Sequence, residues 1–437
     1  MDTPAVEQPA NKSWKIPFFT IWSGQAASLL GSQLVQFALV WWLTQMTGSA
    51  TVLATATLVA LLPQVFLGPL AGVLVDRGSR RLILILADSL IALATLALAF
   101  LFWAGWVQIW HVYLLMFLRS VAGAFHWSAM QASTSLMVPK EHLARIQGMN
   151  QMLGGLMNIG SAPLAALLLT VLPMQGILSI DVITAVVAVL PLLFIAVPQP
   201  ERTQAAEAGS GGMSFGQELR AGFRYVWSWP GLMVIGLMAT IINLLLTPTS
   251  SLQPILVTDH FNGQALQLAW LESAWGLGVV AGGVTLGIWG GFKRRIVTSM
   301  LGLILLGLAV LGVGLVPADR FWLAVGLLFL VGFTNPIVNG PLLAAVQATV
   351  APDMQGRVFT LINSVASAMT PLGLLMAGPL ADTYGVQIWF LVGGVITILM
   401  GIAGFLIPAV MHFEDQKPAP SVSAADQLSA VLEPAGD

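Results

Sequence analysis

Apolar runs of about 20–30 residues alternate with short polar gaps from residue 17 to residue 411. They fall at 17–45, 51–75, 82–104, 109–136, 146–172, 176–197, 228–257, 265–290, 297–316, 321–349, 358–381 and 386–411. A helix needs about 20 apolar residues to cross the hydrocarbon layer of a bilayer, so each run predicts one spanning helix. Strands of a membrane barrel would be about 9–11 residues long with alternating polar positions, and no such alternation is present. The polar gap at 198–227 holds Pro198, Pro200 and a Gly-Ser-Gly-Gly stretch at 209–212, and it divides the runs six and six. The pattern predicts an all-α membrane protein with a tail at 1–16, a six-helix bundle at 17–197, a central loop at 198–227, a second six-helix bundle at 228–411 and a tail at 412–437. That last tail is polar and rich in Pro, Ala and Ser, and reads as disordered. The first run is much longer than a signal-peptide core and reads as a retained span.

Charge orients this layout. Fifteen of the 17 Lys and Arg residues precede the first span, follow the last one or crowd every second gap. Arg320 alone falls on the opposite side, and Arg119 lies inside a span. Basic short loops stay cytoplasmic, so both termini and the central loop are expected inside a cell inner (plasma) membrane. Trp103, Trp106, Trp110, Trp322 and Trp389 near outer ends, with Trp227 and Trp229 near an inner end, are expected to form aromatic belts.

Composition narrows the function. The 437 residues are 57% hydrophobic and 8% charged, with mean hydropathy +0.87; a soluble domain carries about 25% charge. The net charge of −2 says nothing about nucleic acid, and the basic residues are placed by topology and form no binding face. The chain has no cysteine, which excludes disulfides and thiolate metal sites. No G-x-x-x-x-G-K-[ST] phosphate loop and no H-E-x-x-H is present, so an ATP-driven pump in this chain is excluded and no cofactor is expected. A membrane enzyme would have to work through groups such as Glu272 and His126, with no readable nucleophile–base spacing.

The halves repeat. Arg80-Arg81 recurs as Arg294-Arg295, Pro139 as Pro352, Arg145 as Arg357 and Asn150 as Asn363, all at separations of 212–214 residues. That register points to duplication of a six-span unit, a plan of secondary transporters that place their site near the midplane and a layout that disfavours a channel.

The stretch Gly68-Pro-Leu-Ala-Gly72-Val-Leu-Val-Asp76-Arg77-Gly78-Ser-Arg80-Arg81 resembles the loop 2–3 signature of the major facilitator superfamily. Phe37-Ala-Leu-Val-Trp-Trp-Leu-Thr and the layout over 1–412 resemble its drug-efflux branch, which includes macrolide exporters and the enterobactin exporter. Gly287-Ile-Trp-Gly-Gly-Phe-Lys293-Arg294-Arg295 keeps the basic residues of a second copy without the Asp. Leu115-Met-Phe-Leu-Arg119-Ser-Val-Ala-Gly123 resembles the fourth-helix motif, with Ala122 where the family has Gln. The resemblance implies a gate in which Asp76 faces the eleventh helix, with Gly72, Arg77, Gly78, Arg80 and Arg81 around it. By residue chemistry alone, the arginines need only the positive-inside rule, whereas Gly72 and Gly78 suit close helix approach and a tight turn.

Charged residues inside the spans are the other candidates. Arg119 lies about 15 Å deep, where a charge costs at least ~2.5 kcal/mol and must face protein or water; a structural tie to carbonyls is the alternative. His126, seven residues on, shares its helical face. Glu272 lies roughly 12 Å deep in the eighth span and is expected to carry a proton, with Arg119 modulating it or anchoring substrate. Asp88 and Asp181 are further proton-coupling candidates, read as shallow enough to snorkel or cap. The resemblance places cavity walls on helices 1, 4, 7 and 10, where the polar and aromatic residues are Gln33, Gln36, Trp41, Arg119, His126, Asn243, Asn335 and Asn339. Such a cavity suits bulky amphipathic compounds. The expectation is a monomeric secondary transporter of small molecules and protons in the lipid bilayer, with efflux direction coming from the resemblance and proton-coupled uptake as the alternative.

Overall fold

A computed structural model describes residues 14–199, 223, 226, 227, 229–350 and 352–415. The expected disordered tail at 412–437 lies outside them from residue 416 on, as does most of the central loop. Among the described residues the regular structure is helical, with no strand. Twelve long helices follow one another: α1 (Lys15–Thr47), α2 (Ala50–Arg77), α3 (Arg80–Ala104), α4 (Ile109–Met137), α5 (Lys140–Val171), α6 (Met174–Phe194), α7 (Pro230–Ile255), α8 (Ala265–Trp289), α9 (Arg295–Leu315), α10 (Phe321–Thr349), α11 (Pro352–Tyr384) and α12 (Gln387–Leu406). A π turn at Leu256–His260 extends α7, and a short α13 (Pro408–Met411) with a 3-10 turn at Phe413–Asp415 follows α12.

Eleven of these helices are long and apolar enough to cross a membrane. The remaining one, α4, is 29 residues long, and it is diluted by His111, Arg119 and His126. Its polarity has a partner network, described below. The helices stop where local chemistry demands it. Gly48 and Gly105 end α1 and α3 in the left-handed region, with φ of 56° and 71°, and each amide returns to a carbonyl of the last turn. Ser49 and Ser79 cap α2 and α3 by accepting from the amides of Val52 and Leu82 at 3.4 Å. The connection expected over residues 76–81 therefore shrinks to Gly78 and Ser79.

By contacts the chain divides into two compact units, Met1–Thr203 with Ser251–Ser273, and Gln204–Ser250 with Ala274–Asp437. The end of α7, its π turn and the start of α8 thus cluster with the first unit. Helix starts repeat along the chain: Lys15, Ala50 and Arg80 recur 215 residues on at Pro230, Ala265 and Arg295, and Ile109 and Lys140 recur 212 on at Phe321 and Pro352. Packing repeats as well. In the first unit α1 packs on α5 and α6, α2 on α4, and α3 on α4 and α6. In the second, α9 packs on α10 and α12, and α11 on α12. There α8 meets α10 where Gly278 and Gly282 lie against the backbone of Phe329 and Phe333, leaving no room for a Cβ.

Many large apolar side chains on these helices face outward, among them Phe66, Leu93, Leu167, Ile183 and Leu375, as lipid-facing surfaces do. Trp103, Trp106, Trp110, Trp227 and Trp322 are exposed as an aromatic belt requires. Two belt assignments are corrected. Trp389 is buried and its Nε1 donates to the carbonyl of Leu245 at 2.8 Å, and Trp229 is buried against Phe413, 5.6 Å between ring centres. An indole that finds a partner inside a bundle satisfies its N–H there instead of at the headgroups.

Candidate functional site

Three helices of the first unit each carry two polar residues seven positions apart: Gln25 and Ser32 on α1, Asp88 and Thr95 on α3, and Arg119 and His126 on α4. Seven residues are two helical turns, about 10.5 Å. The residues therefore assemble in two tiers.

The first tier holds Gln25, Asp88 and His126. Gln25 Nε2 donates to Asp88 Oδ2 at 2.8 Å, and its Oε1 lies 2.7 Å from His126 Nε2. The same imidazole nitrogen is 3.4 Å from Asp88 Oδ1. Two acceptors face Nε2, so Nε2 carries the proton. Asp88 and Gln25 are buried, at 4% and 7% exposure.

The second tier holds Ser32, Thr95, Arg119 and Asp181. Arg119 Nη1 donates to Asp181 Oδ2 at 2.6 Å and to Thr95 Oγ1 at 3.2 Å, while Nη2 donates to the carbonyl of Ser32 at 3.2 Å. Thr95 Oγ1 in turn donates to Asp181 Oδ2, and Ser32 Oγ to Asp181 Oδ1, both at 3.1 Å. The carboxylate is thereby surrounded by donors, which a charge removed from water requires. Gly31 makes room for it. A Cβ there would stand 3.1 Å from Asp181 Cα and collide with the Thr184 hydroxyl, so glycine brings α1 and α6 close enough for Ser32 to reach the acid.

Both tiers border a cavity of about 670 Å³, whose lining includes Gln25, Ser32, Gln64, Asp88, Arg119 and Trp127. Its volume lies within the ~300–1,000 Å³ of small-molecule sites. Among the expected residues, Arg119, His126, Asp88 and Asp181 come together here. The expectation that Asp88 and Asp181 snorkel or cap is overturned, because both are held inside by α1 and α4 donors. Gln25, Ser32 and Thr95 join them without carrying a charge that would mark them in the sequence. Their signal is the seven-residue repeat of polar positions in otherwise apolar spans.

Other candidates lie elsewhere. Gln33, Gln36 and Trp41 do not line this cavity, and Trp41 is buried in the packing of α1. Asn243 and Asn339 donate to the carbonyls of Ala239 and Asn335 in their own helices at 3.0 Å, in the other unit. Glu272 stands on α8, half-buried, and among the described residues it has no hydrogen bond or ion pair. Arg119, expected to modulate Glu272 or anchor substrate, is bonded to Asp181 instead. Beside Glu272, Ser273 Oγ donates to the carbonyl of Ile159 on α5 at 2.8 Å.

In the loop signature, the side chains of Asp76 and Arg77 lie outside what the structure describes. Gly72 and Gly78 are half-buried. Arg80 Nη1 donates to the carbonyl of Ala132 on α4 at 2.8 Å. Arg81 donates to the carbonyls of Leu192 and Leu193, two of the orphan acceptors at the end of α6. The arginines thus tie the start of α3 to two neighbours, a role beyond the positive-inside rule. Arg295 repeats the first tie by donating to the carbonyl of Ala344 on α10 at 3.1 Å.

A family model described as "Transmembrane secretion effector" matches residues 13–435. The chain belongs to the major facilitator superfamily, in its drug-efflux branch. Macrolide efflux protein A of Streptococcus pyogenes is 34% identical over 391 residues, covering 89% of this chain and 95% of that protein. The multidrug efflux pump Tap of Mycobacterium tuberculosis is 28% identical over 412 residues, covering 91% and 95%. Among solved structures, a bacterial homologue of the human lysosomal transporter Spinster superposes with TM-score 0.66 at 14% identity, covering 94% of this chain and all of that one. A D-xylose–proton symporter superposes with TM-score 0.66 at 12% identity, covering 93% and all of it. These structures share the fold. The protein is a multi-pass membrane transporter of small molecules.

Proposed function

We propose that this transporter exports bulky amphipathic compounds, of macrolide or multidrug type, across the cell inner membrane in exchange for protons by alternating access. The observation that carries the reading is a small-molecule-sized cavity bordered by two tiers of membrane-buried charge, in a chain similar to macrolide and multidrug efflux proteins. In this reading the chain acts as a monomer, two six-helix bundles at 17–197 and 228–411 are joined by a cytoplasmic loop at 198–227, and both termini are cytoplasmic.

Without a nucleotide-binding loop, uphill export draws on an ion gradient, and a proton needs an acid–base group within the spans. Glu272 exchanges one without first breaking an ion pair. Asp88 is the second carrier, because its bonds to Gln25 and His126 rearrange when it is protonated. The Arg119–Asp181 pair holds the second tier and transmits that rearrangement along α4. Arg119 and His126 contact substrate, and the loop from Gly72 to Arg81 gates the inner side. The test is accumulation of a fluorescent amphipathic drug in cells with and without the chain, with and without a proton uncoupler. Export reduces accumulation only while the gradient stands. Accumulation raised by the chain would mean uptake.

A further inference from the structure

A second cavity lies at the start of α1 and α5, away from the two polar tiers. It measures about 220 Å³ and is lined by Trp14, Lys15, Phe19, His142 and Arg145 over Ile146 and Met149. We propose that it binds the phosphate-bearing headgroup of an anionic phospholipid.

The wall is firmly built. Trp14 lies 5.4 Å from His142 and 6.0 Å from Phe18 between ring centres. Phe18, Val138 and Ile146 form a buried apolar cluster beneath it. Trp22 Nε1 donates to Asn150 Oδ1 at 2.7 Å and pins α1 to α5. The rim is cationic. Lys15 and Arg145 are exposed, and among the described residues neither has a carboxylate partner. Glu141 stands one turn before Arg145 on α5 without pairing to it. Both helices begin at this place, so their N-terminal dipoles add to the positive field.

Two cations, an imidazole and an indole at the start of two spanning helices match a headgroup phosphate at membrane level. The volume is below the range of drug-sized sites and suits a headgroup better than a bulky transported compound. A free phosphate would use the rim and leave the apolar floor idle. Phe19 and Met149, each one turn further along its helix than Lys15 and Arg145, give the site an apolar floor that an acyl chain would use. Headgroup binding here requires neither a direction of transport nor a coupling ion.

The test is native mass spectrometry of the full chain in micelles, titrated with phosphatidylglycerol or phosphatidylcholine of identical chains. Wild type is expected to retain phosphatidylglycerol preferentially. Lys15→Gln with Arg145→Gln should lower that affinity roughly tenfold or more, at about fivefold per basic contact, with phosphatidylcholine retention and thermal midpoint unchanged. Lys293→Gln, an exposed base elsewhere, should leave the preference intact, and excess inorganic phosphate should not displace the lipid. Equal loss in Lys293→Gln, no loss in the double variant, or displacement by inorganic phosphate would each overturn the lipid site.

Discussion

Arg119 Nη1 and Asp181 Oδ2 meet at 2.6 Å between α4 and α6, with the acid carboxylate 1% exposed. Either charge alone is costly in a spanning helix. Removing one partner of a buried pair costs about 3–5 kcal/mol, whereas replacing both with apolar residues of similar volume is often neutral.

Arg119→Met should therefore destabilise the protein by about 3–5 kcal/mol. Arg119→Met with Asp181→Leu should regain most of that loss while still failing to transport. Unfolding in micelles checks the first statement, and transport in vesicles the second. A double variant as unstable as the single one would show that the pair is not the source of the loss.

Gln25→Leu removes the amide that joins Asp88 to His126. A hydrogen bond to a charged group is worth about 1.5–3 kcal/mol, so the transport rate should fall roughly tenfold or more with little change in expression. Wild-type rates in this variant would make Gln25 a bystander.

Much of the fold was legible because the bilayer imposes length on every span. Twelve apolar runs follow from that length, the basic alternate gaps from the preference for basic loops on the cytoplasmic side, and the repeat at 212–214 residues from the likeness of the two halves. Helix ends were less legible, since Gly78 and Ser79 compress a polar stretch into a two-residue cap. The site was half legible. Arg119, His126, Asp88 and Asp181 stand out as charges or imidazole in apolar runs, but depth along a span cannot tell which acid meets the base. Gln25, Ser32 and Thr95 are neutral, and only the two-turn spacing they share with Asp88, Arg119 and His126 marks them. Trp389 and Trp229 read as belt residues because sequence position does not reveal an indole N–H paired inside a bundle.

Asp76→Asn weakens an acceptor in the loop signature without altering the cavity. Substrate binding should persist while turnover slows. Unchanged transport at saturating substrate would remove Asp76 from the gate.

Topology is open to a direct check because the chain has no cysteine. A cysteine placed in 203–212 should resist an impermeant reagent added outside intact cells and react after permeabilisation. Labelling from outside would reverse the proposed orientation.

Proton coupling is the central claim, and it is tested most directly in proteoliposomes carrying an imposed pH gradient. Wild type should move an amphipathic drug against its concentration gradient. Glu272→Gln should lose that uphill movement and keep downhill exchange, because a neutral amide still permits alternating access but carries no proton. Full uphill transport by Glu272→Gln would contradict the assignment of Glu272, and uphill transport by wild type without any pH gradient would contradict proton coupling itself.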